Sequence, residues 1–143
     1  MSNVVPDSLL RDMGTGAVDL DNDTFYMMLL TASFAPSKAF SKRSDIIAFE
    51  VTGGTGYAAG GQACTVTQVL NGGQHRYEIA HSDVAWASSS GWSAHYHAIY
   101  KRRGGAASAD ELVVMGDFLG DIPALGGTFT VRAGSPILIS NPN

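Results

Sequence analysis

The sequence predicts a mainly β protein: a single-domain, antiparallel β-sandwich of jelly-roll-like type that spans residues 1–143, with one or two short helices near the N-terminus. Apolar runs of strand length recur along the chain, and turn residues separate nearly all of them. Glycine contributes 17 of the 143 residues and charged residues only 15%, less than is usual in globular domains, so we expect many turns and small-residue packing. The length suits one core rather than two.

The first predicted elements are a helix and a buried strand. Residues 6–14 predict a short helix with a proline in its first turn and Gly14 as its end. Its apolar side is expected to consist of Leu9, Leu10 and Met13. Residues 24–30 form an apolar run of strand length that should be buried on both faces, whereas residues 44–51 fit a helix or a strand equally well.

The rest of the chain predicts strands separated by turns. The strand candidates are residues 63–70, 76–80, 84–87, 92–102, 112–118, 128–133 and 137–140. Turn residues occupy positions 71–73, 88–91, 104–105, 126–127 and 134–136. About eight short strands at this spacing are typical of an antiparallel sandwich or barrel.

A glycine-crowded segment at residues 52–62 imitates a nucleotide-binding motif through Gly54, Gly56 and Ala59. A phosphate-binding loop needs a helix N-terminus behind its glycines, and a P-loop also needs a lysine. Here no lysine follows, and the next residues are rich in Thr and Val, which favour a strand. We therefore predict a structural turn in which glycines supply positive φ angles.

The charge pattern and the cysteine content exclude several classes of partner. The net charge is −4, and the only basic run, Lys101 to Arg103, is short and adjoins two glycines, which indicates a solvated hairpin end rather than a nucleic-acid surface. Cys64 is the single cysteine, so it forms no intramolecular disulfide and no cysteine metal cluster, and its neighbours indicate a buried, inert thiol.

No feature of the sequence indicates a membrane or secretory protein. Residues 1–7 lack the basic and apolar regions of a signal peptide, and no apolar run approaches the roughly 18 residues of a membrane span. We expect synthesis in the cytoplasm and no membrane partner.

Three alternating carboxylates, Asp19, Asp21 and Asp23, resemble the start of a calcium loop. Thr24 stands where an EF-hand requires glycine, and Leu30 stands where it requires a bidentate glutamate, so this motif is excluded. A looser cation site and a purely turn-shaping role both remain open.

The histidines and serines predict no catalytic centre. His95 and His97 are expected to share one strand face, and with His81 or His75 they could gather three imidazoles around zinc, but histidines at this spacing are more often surface or interface residues. No Gly-x-Ser-x-Gly motif occurs, and Ser88 to Ser90 fit a loop. No paired acid and base carboxylates stand out. We therefore expect no enzyme activity, catalytic residue, metal or cofactor.

Aromatic residues alternate along the predicted strands. The four concerned are Trp86, Trp92, Tyr96 and Tyr100. They fit a platform on which sugars stack, but aromatics at alternating strand positions are more often core or subunit-contact residues. A carbohydrate-binding module therefore stays open as a third hypothesis.

A set of segments in chain order, spanning nearly the whole sequence, carries a family resemblance. The segments are Phe25-x-x-Met28-Leu29-Leu30-Thr31, Glu50 to Gln62, Asp83 to Ala87, Ala94-x-Tyr96-x-Ala98-x-Tyr100-Lys101, Met115 to Phe118, Gly127 to Val131 and Gly134 to Ile139. Together they resemble a family of small structural proteins of tailed-bacteriophage virions. The chain departs from the family pattern at Gly91 to His95 and at Lys101 to Arg103.

The resemblance implies a non-enzymatic component of the virion. The leading expectation is a homo-oligomeric capsid cement or decoration protein that binds the major capsid protein lattice and stabilises the mature head, without direct contact with nucleic acid. A neck or tail adaptor, or a fibre-anchoring subunit that binds neck or tail proteins, is the alternative. The candidate partner-contact residues are Tyr57, Trp92, Tyr96, His95 and His97.

Overall fold

Two antiparallel sheets and a two-stranded ribbon make up the fold. The computed structural model describes residues 2–134 and 136–140, and within them it confirms the predicted mainly β, sandwich-like class with one α-helix near the N-terminus. The elements are β1 (Ser2–Val4), α1 (Ser8–Gly14), β2 (Phe25–Leu30), β3 (Gln62–Cys64), β4 (Val66–Asn71), β5 (Arg76–His81), β6 (Val84–Trp86), β7 (Ser90–Lys101), β8 (Leu112–Leu125), β9 (Phe129–Val131) and β10 (Ile137–Ser140).

The long strands β7 and β8 lie near the middle of the larger sheet, whose strand order is β1-β8-β7-β2-β3. The smaller sheet has the order β10-β5-β4, and β6 pairs with β9 as a separate ribbon. Every strand pair in this part of the chain is antiparallel, as the predicted hairpins require. The helix α1 has seven residues, and no helix among the described residues is long and apolar enough to cross a membrane.

Strand β2 has a cluster of buried side chains on each face. Met27 and Leu29 belong to a large core shared with the smaller sheet and the ribbon, whereas Met28 and Leu30 belong to a small core closed by residues 34–49. Successive side chains of a strand point to opposite faces, so an uninterrupted apolar run is needed where both faces are covered. The prediction that this strand is buried on both faces is confirmed.

Helix α1 lies where the sequence predicts it, but its apolar side differs from the prediction. Leu9 is fully buried and Met13 packs against the large core, whereas Leu10 is 58% exposed. Leu9 and Met13 are four residues apart and share a helix face, while Leu10 is rotated about 100° from Leu9. Asp12, not Leu10, is the second buried residue of this helix.

Other boundaries are set by pairing rather than by local sequence. Residues 44–51 form neither a helix of normal length nor a strand, but two short 3-10 turns at Arg43–Asp45 and Ile47–Phe49. The strand predicted at residues 63–70 divides at Thr65, because β3 pairs with β2 whereas β4 pairs with β5. In the turn predicted at residues 134–136, Ser135 lies outside the described residues.

The glycine-rich loop at residues 52–61 is the structural turn that the sequence predicts. Positive φ angles occur at five of its glycines, and a strand, not a helix, follows it. Two of the glycines are also sites of close approach. A Cβ atom on Gly61 would overlap the backbone of Met27 and Met28, and one on Gly54 would overlap the backbone of Ser90 and Gly91. The loop therefore packs directly against β2 and the start of β7.

We expect Gly61→Ala to destabilise the protein far more than Gly53→Ala. Both glycines have φ near +80°, so the backbone strain of about 1 kcal/mol is shared, but only position 61 lacks space for a Cβ atom. Urea unfolding should show an additional loss of at least about 2 kcal/mol for Gly61→Ala because the Met27 backbone must move. Equal losses in the two variants would contradict the close packing of the loop.

Candidate functional site

The two aromatic candidates Tyr57 and Trp92 belong to one packed group. Their ring centroids are 5.7 Å apart, and the Trp92 ring also packs against Phe129 at 4.7 Å. Trp92 is 6% exposed, and its indole N–H donates a 2.9 Å hydrogen bond to the carbonyl oxygen of Thr55. Trp92 is therefore a core residue, which corrects its assignment as a partner contact. Tyr57 is half-buried beside it.

The Tyr57 hydroxyl connects the glycine-rich loop to the sheet. It donates a 2.7 Å hydrogen bond to Oε1 of Glu50 and accepts one of 3.0 Å from the Leu29 N–H group. The same Glu50 oxygen accepts a 2.6 Å hydrogen bond from the Gly60 N–H group. Burial, followed by the charge of Glu50, raises the pKa of Tyr57. This residue is a structural anchor rather than a free contact side chain.

The aromatic residues do not form the exposed platform that sugar stacking requires. The rings of Trp86, Trp92 and Tyr100 are all buried, and the Tyr100 hydroxyl donates a 2.6 Å hydrogen bond to the Gly60 carbonyl oxygen. Tyr96 is half-buried, and its ring meets Phe34 edge-on at 5.3 Å in the small core. The core alternative therefore describes these residues best.

His95 and His97 lie on opposite faces of β7, so the prediction that they share a face is wrong. The register with β8 shifts between Ala94 and Tyr96, which changes the alternation of side chains. The His95 ring lies beside Tyr96 at 4.6 Å, whereas His97 packs against Phe118 at 5.4 Å, on the side of the large core.

The two histidines have different environments. His95 is half-buried, with Nδ1 2.8 Å from Asp121 and Nε2 3.5 Å from Asp117. His97 is 1% exposed, and neither ring nitrogen has a hydrogen-bond partner in the described structure. Its nearest imidazole is that of His81, at a centroid distance of 5.7 Å. Partner contact is therefore possible for His95 and Tyr96 but not for His97.

The metal-binding alternatives gain no support from the described residues, which contain no group of three or more His, Cys, Asp or Glu side chains placed to hold an ion. Asp19 accepts hydrogen bonds from the Asn22 side chain and from the N–H groups of Asp21 and Asn22, and these bonds lower its pKa. Asp23 accepts one from the Asp19 N–H group and pairs with Lys101 at 2.8 Å. These contacts match the turn-shaping role.

Burial describes the environment of Cys64, and ion pairs describe that of the basic run. Cys64 is 6% exposed, and burial raises the pKa of its thiol to about 11, as expected of an inert thiol. Two cations of the basic run are paired, because Lys101 contacts Asp23 and Arg103 makes hydrogen bonds of 2.8 and 3.1 Å to Glu111, although Arg102 and Arg103 are exposed as the predicted hairpin end requires.

A cleft of about 610 Å³ lies between β9 and the C-terminal half of β8, and we call it the β8–β9 cleft. β1 pairs with β8 only at residues 115–117, and among the described strands β9 pairs only with β6. The C-terminal half of β8 and β9 are therefore not hydrogen-bonded to each other, and the cleft lies between them. Ile122 and Leu125 line the cleft and are 41% and 87% exposed. Of the described residues, Arg132 is the one ionisable residue that lines it.

Sequence reasoning missed this cleft because nothing local marks it. The segment that follows Phe118 was expected to be outside the strand, yet β8 continues to Leu125. Hydrogen bonds of 2.7 and 2.9 Å tie the following Gly126 and Gly127 to Ser89 and so fix the turn between β8 and β9. The apolar lining can bury a partner side chain, but it offers no acid–base pair for chemistry.

We expect Tyr57→Phe to lower the free energy of unfolding by about 2 kcal/mol, because it leaves the Leu29 N–H group and the Glu50 carboxylate each short of a buried partner. Tyr26→Phe is the matched control, since the Tyr26 hydroxyl makes no hydrogen bond among the described residues. Urea unfolding should show little change for the control. A loss of equal size in both variants would contradict the anchor role.

The stability of the protein should fall between pH 6.5 and pH 3. Burial, followed by the charge of His81, lowers the pKa of His97 to about 3, so below pH 6.5 the unfolded chain binds a proton that the folded one does not. The loss expected at pH 5 is about 2 kcal/mol. Urea unfolding at pH 7 and pH 5 should show this loss in wild type and in the exposed-site control His75→Asn, and it should be smaller by that amount in His97→Gln. An unchanged pH dependence in His97→Gln would refute the assignment.

Comparison of the chain with protein-family models, with curated proteins and with solved structures gives no match. Its candidate surfaces are therefore defined by its own residues and contacts.

Proposed function

We propose that the chain is a non-enzymatic structural protein of a tailed-bacteriophage particle, and specifically a cement or decoration protein that binds the major capsid protein lattice. Two lines support the proposal. The sequence resembles small virion proteins over nearly its whole length, in segments from Phe25 to Ile139. The observation that carries the structural part is the β8–β9 cleft, an apolar surface suited to contact with another protein.

The cleft has the composition of a protein contact rather than of a reaction site. Ile122 and Leu125 expose apolar side chains beside it, and Phe118, Pro123 and Phe129 line it. Burial of apolar surface contributes about 25 cal/mol per Å², so contact with one well-shaped partner side chain stabilises a complex by a few kcal/mol at most. A useful contact therefore requires many copies acting together.

A cement protein stabilises a capsid because many copies bind to the same lattice. A ligand that binds only the assembled lattice stabilises that lattice by mass action, and the contribution grows with each occupied position. A rigid subunit binds with the smallest loss of conformational entropy. The anchored glycine-rich loop and the two cores on β2 support this rigidity.

A neck or tail position remains the alternative within the same proposal, because an apolar cleft serves either attachment. The homo-oligomer and the position in the particle stay predictions. Binding to purified heads and to purified tails separates the two positions. The carbohydrate-binding alternative has the weaker support, since the rings of Trp86, Trp92 and Tyr100 are buried.

We expect Leu125→Asp to weaken binding to purified capsids at least about tenfold, because the partner's apolar surface would meet a charge that requires hydration. Leu125 is 87% exposed, so the fold should tolerate the change. The matched control is Leu70→Asp, which makes the same substitution at a 75% exposed leucine on the smaller sheet.

Co-sedimentation of the purified protein with capsids that lack it measures the affinity. Wild type and Leu70→Asp should bind alike, and circular dichroism should show all three proteins folded. Equal binding by Leu125→Asp would remove the cleft from the contact surface. If the wild-type protein bound to tails but not to heads, the neck or tail position would replace the capsid position.

A further inference from the structure

A small polar basin lies on the opposite side of the larger sheet from the large core, at the end of β7. Its volume is about 100 Å³, and Arg43 and Arg102 line it together with Gly60, Gly104 and Gly105. The sequence predicts a solvated hairpin end in this region. The structure instead places two cations beside one small cavity.

One carboxylate, that of Asp110, lines the basin, and both of its oxygens are already used. Oδ2 accepts a 2.8 Å hydrogen bond from Nε of Arg43, and Oδ1 accepts one of 3.0 Å from the Arg103 N–H group. Asp110 is 1% exposed. The terminal nitrogens of Arg43 have no acceptor in the part of the chain that the structure describes. Asp110 thus neutralises one guanidinium and leaves the second uncompensated.

Arg102 differs from every other arginine of the chain. Each of the others has a carboxylate oxygen within 4.0 Å, whereas no described residue supplies one to Arg102. Its guanidinium likewise donates no hydrogen bond to the described residues, although its backbone N–H group bonds the Thr24 carbonyl oxygen at 2.8 Å. Five guanidinium N–H groups are therefore available at a fixed position.

Two tyrosines hold these cations in place. The Cζ atom of Arg43 lies 5.0 Å from the ring centroid of Tyr100, and that of Arg102 lies 4.2 Å from the ring centroid of Tyr26. The two tyrosines are cross-strand partners on β2 and β7, with centroids 6.4 Å apart. Stacking on aromatic rings reduces the freedom that a guanidinium loses when it binds an anion.

The charged groups around Tyr100 fit this geometry. Burial raises the pKa of Tyr100 to about 12; the charges of Arg43 and Arg102 oppose that rise, and the carboxylates of Asp110 and Glu50 add to it. Both cations therefore act on the same hydroxyl, which is fixed by its hydrogen bond to the Gly60 carbonyl oxygen. Two arginines and one carboxylate line the basin, so the charge of its lining residues is positive by one.

We propose that this basin binds an oxyanion, either a carboxylate or a phosphate, through the terminal nitrogens of Arg102 and Arg43. Planar guanidinium groups recognise both anions by paired, charge-assisted hydrogen bonds. The carboxylate would come from an acidic side chain of a partner, and the phosphate from solution or from a phosphorylated partner. The proposal does not depend on the virion function or on the β8–β9 cleft.

Titration of the ¹⁵N-labelled full chain with inorganic phosphate and, separately, with sodium acetate at constant ionic strength tests the proposal. The signals to follow are the amides of Gly104 and Gly105 and the Nε–H group of Arg102. We expect saturable shifts in the millimolar range, and Arg102→Gln should weaken the binding about tenfold. Arg102→Lys should give an intermediate affinity, because it keeps the charge but loses the paired geometry.

Arg132→Gln is the matched control, because it removes a cation that is 83% exposed and lies outside the basin. It should bind both anions as wild type does. Saturation by acetate alone would identify a carboxylate site, and saturation by phosphate alone a phosphate site. Shifts that stay linear, or equal affinity in Arg102→Gln, would overturn the proposal. The remaining amide signals report whether each variant is folded.

Discussion

The buried carboxylate of Glu50 holds the glycine-rich loop against the larger sheet, and the rest of the structure depends on that contact. One oxygen of Glu50 accepts hydrogen bonds from the Tyr57 hydroxyl and from the Gly60 N–H group, and Tyr57 in turn accepts one from Leu29 in β2. A buried carboxylate is unfavourable unless such bonds satisfy it. The loop, the acid and the strand must therefore form together, which gives the sheet a fixed edge.

The fixed loop also determines where the candidate contact surface lies. Thr55 forms two backbone hydrogen bonds with Ser90, of 2.8 and 3.0 Å, at the start of β7. The adjoining Ser89 bonds the Gly126–Gly127 turn, which separates β8 from β9. A chain of short contacts thus connects the buried acid to the open β8–β9 cleft. A subunit built this way presents its apolar cleft on a rigid support, as the proposed lattice contact requires.

Local patterns predicted the features that depend on local chemistry. Turn residues and apolar runs indicated β2, β5, β7, β9 and the glycine-rich loop, because strand propensity and positive φ are properties of single residues. The features that differ from the sequence-based predictions depend on long-range strand pairing. The register shift beside Tyr96 reversed the face of His97, and the cleft arose because β9 pairs with β6 instead of β8. The oxyanion basin joins residues 43 and 102, whose proximity no sequence pattern indicates.

The copy number of the protein in purified virions, by quantitative mass spectrometry against the major capsid protein, tests the central functional claim most directly. A cement protein should be present in hundreds of copies per particle, which only a lattice-wide position provides. A dozen or so copies would place the protein at the neck or tail, and absence from the particle would contradict the structural role altogether.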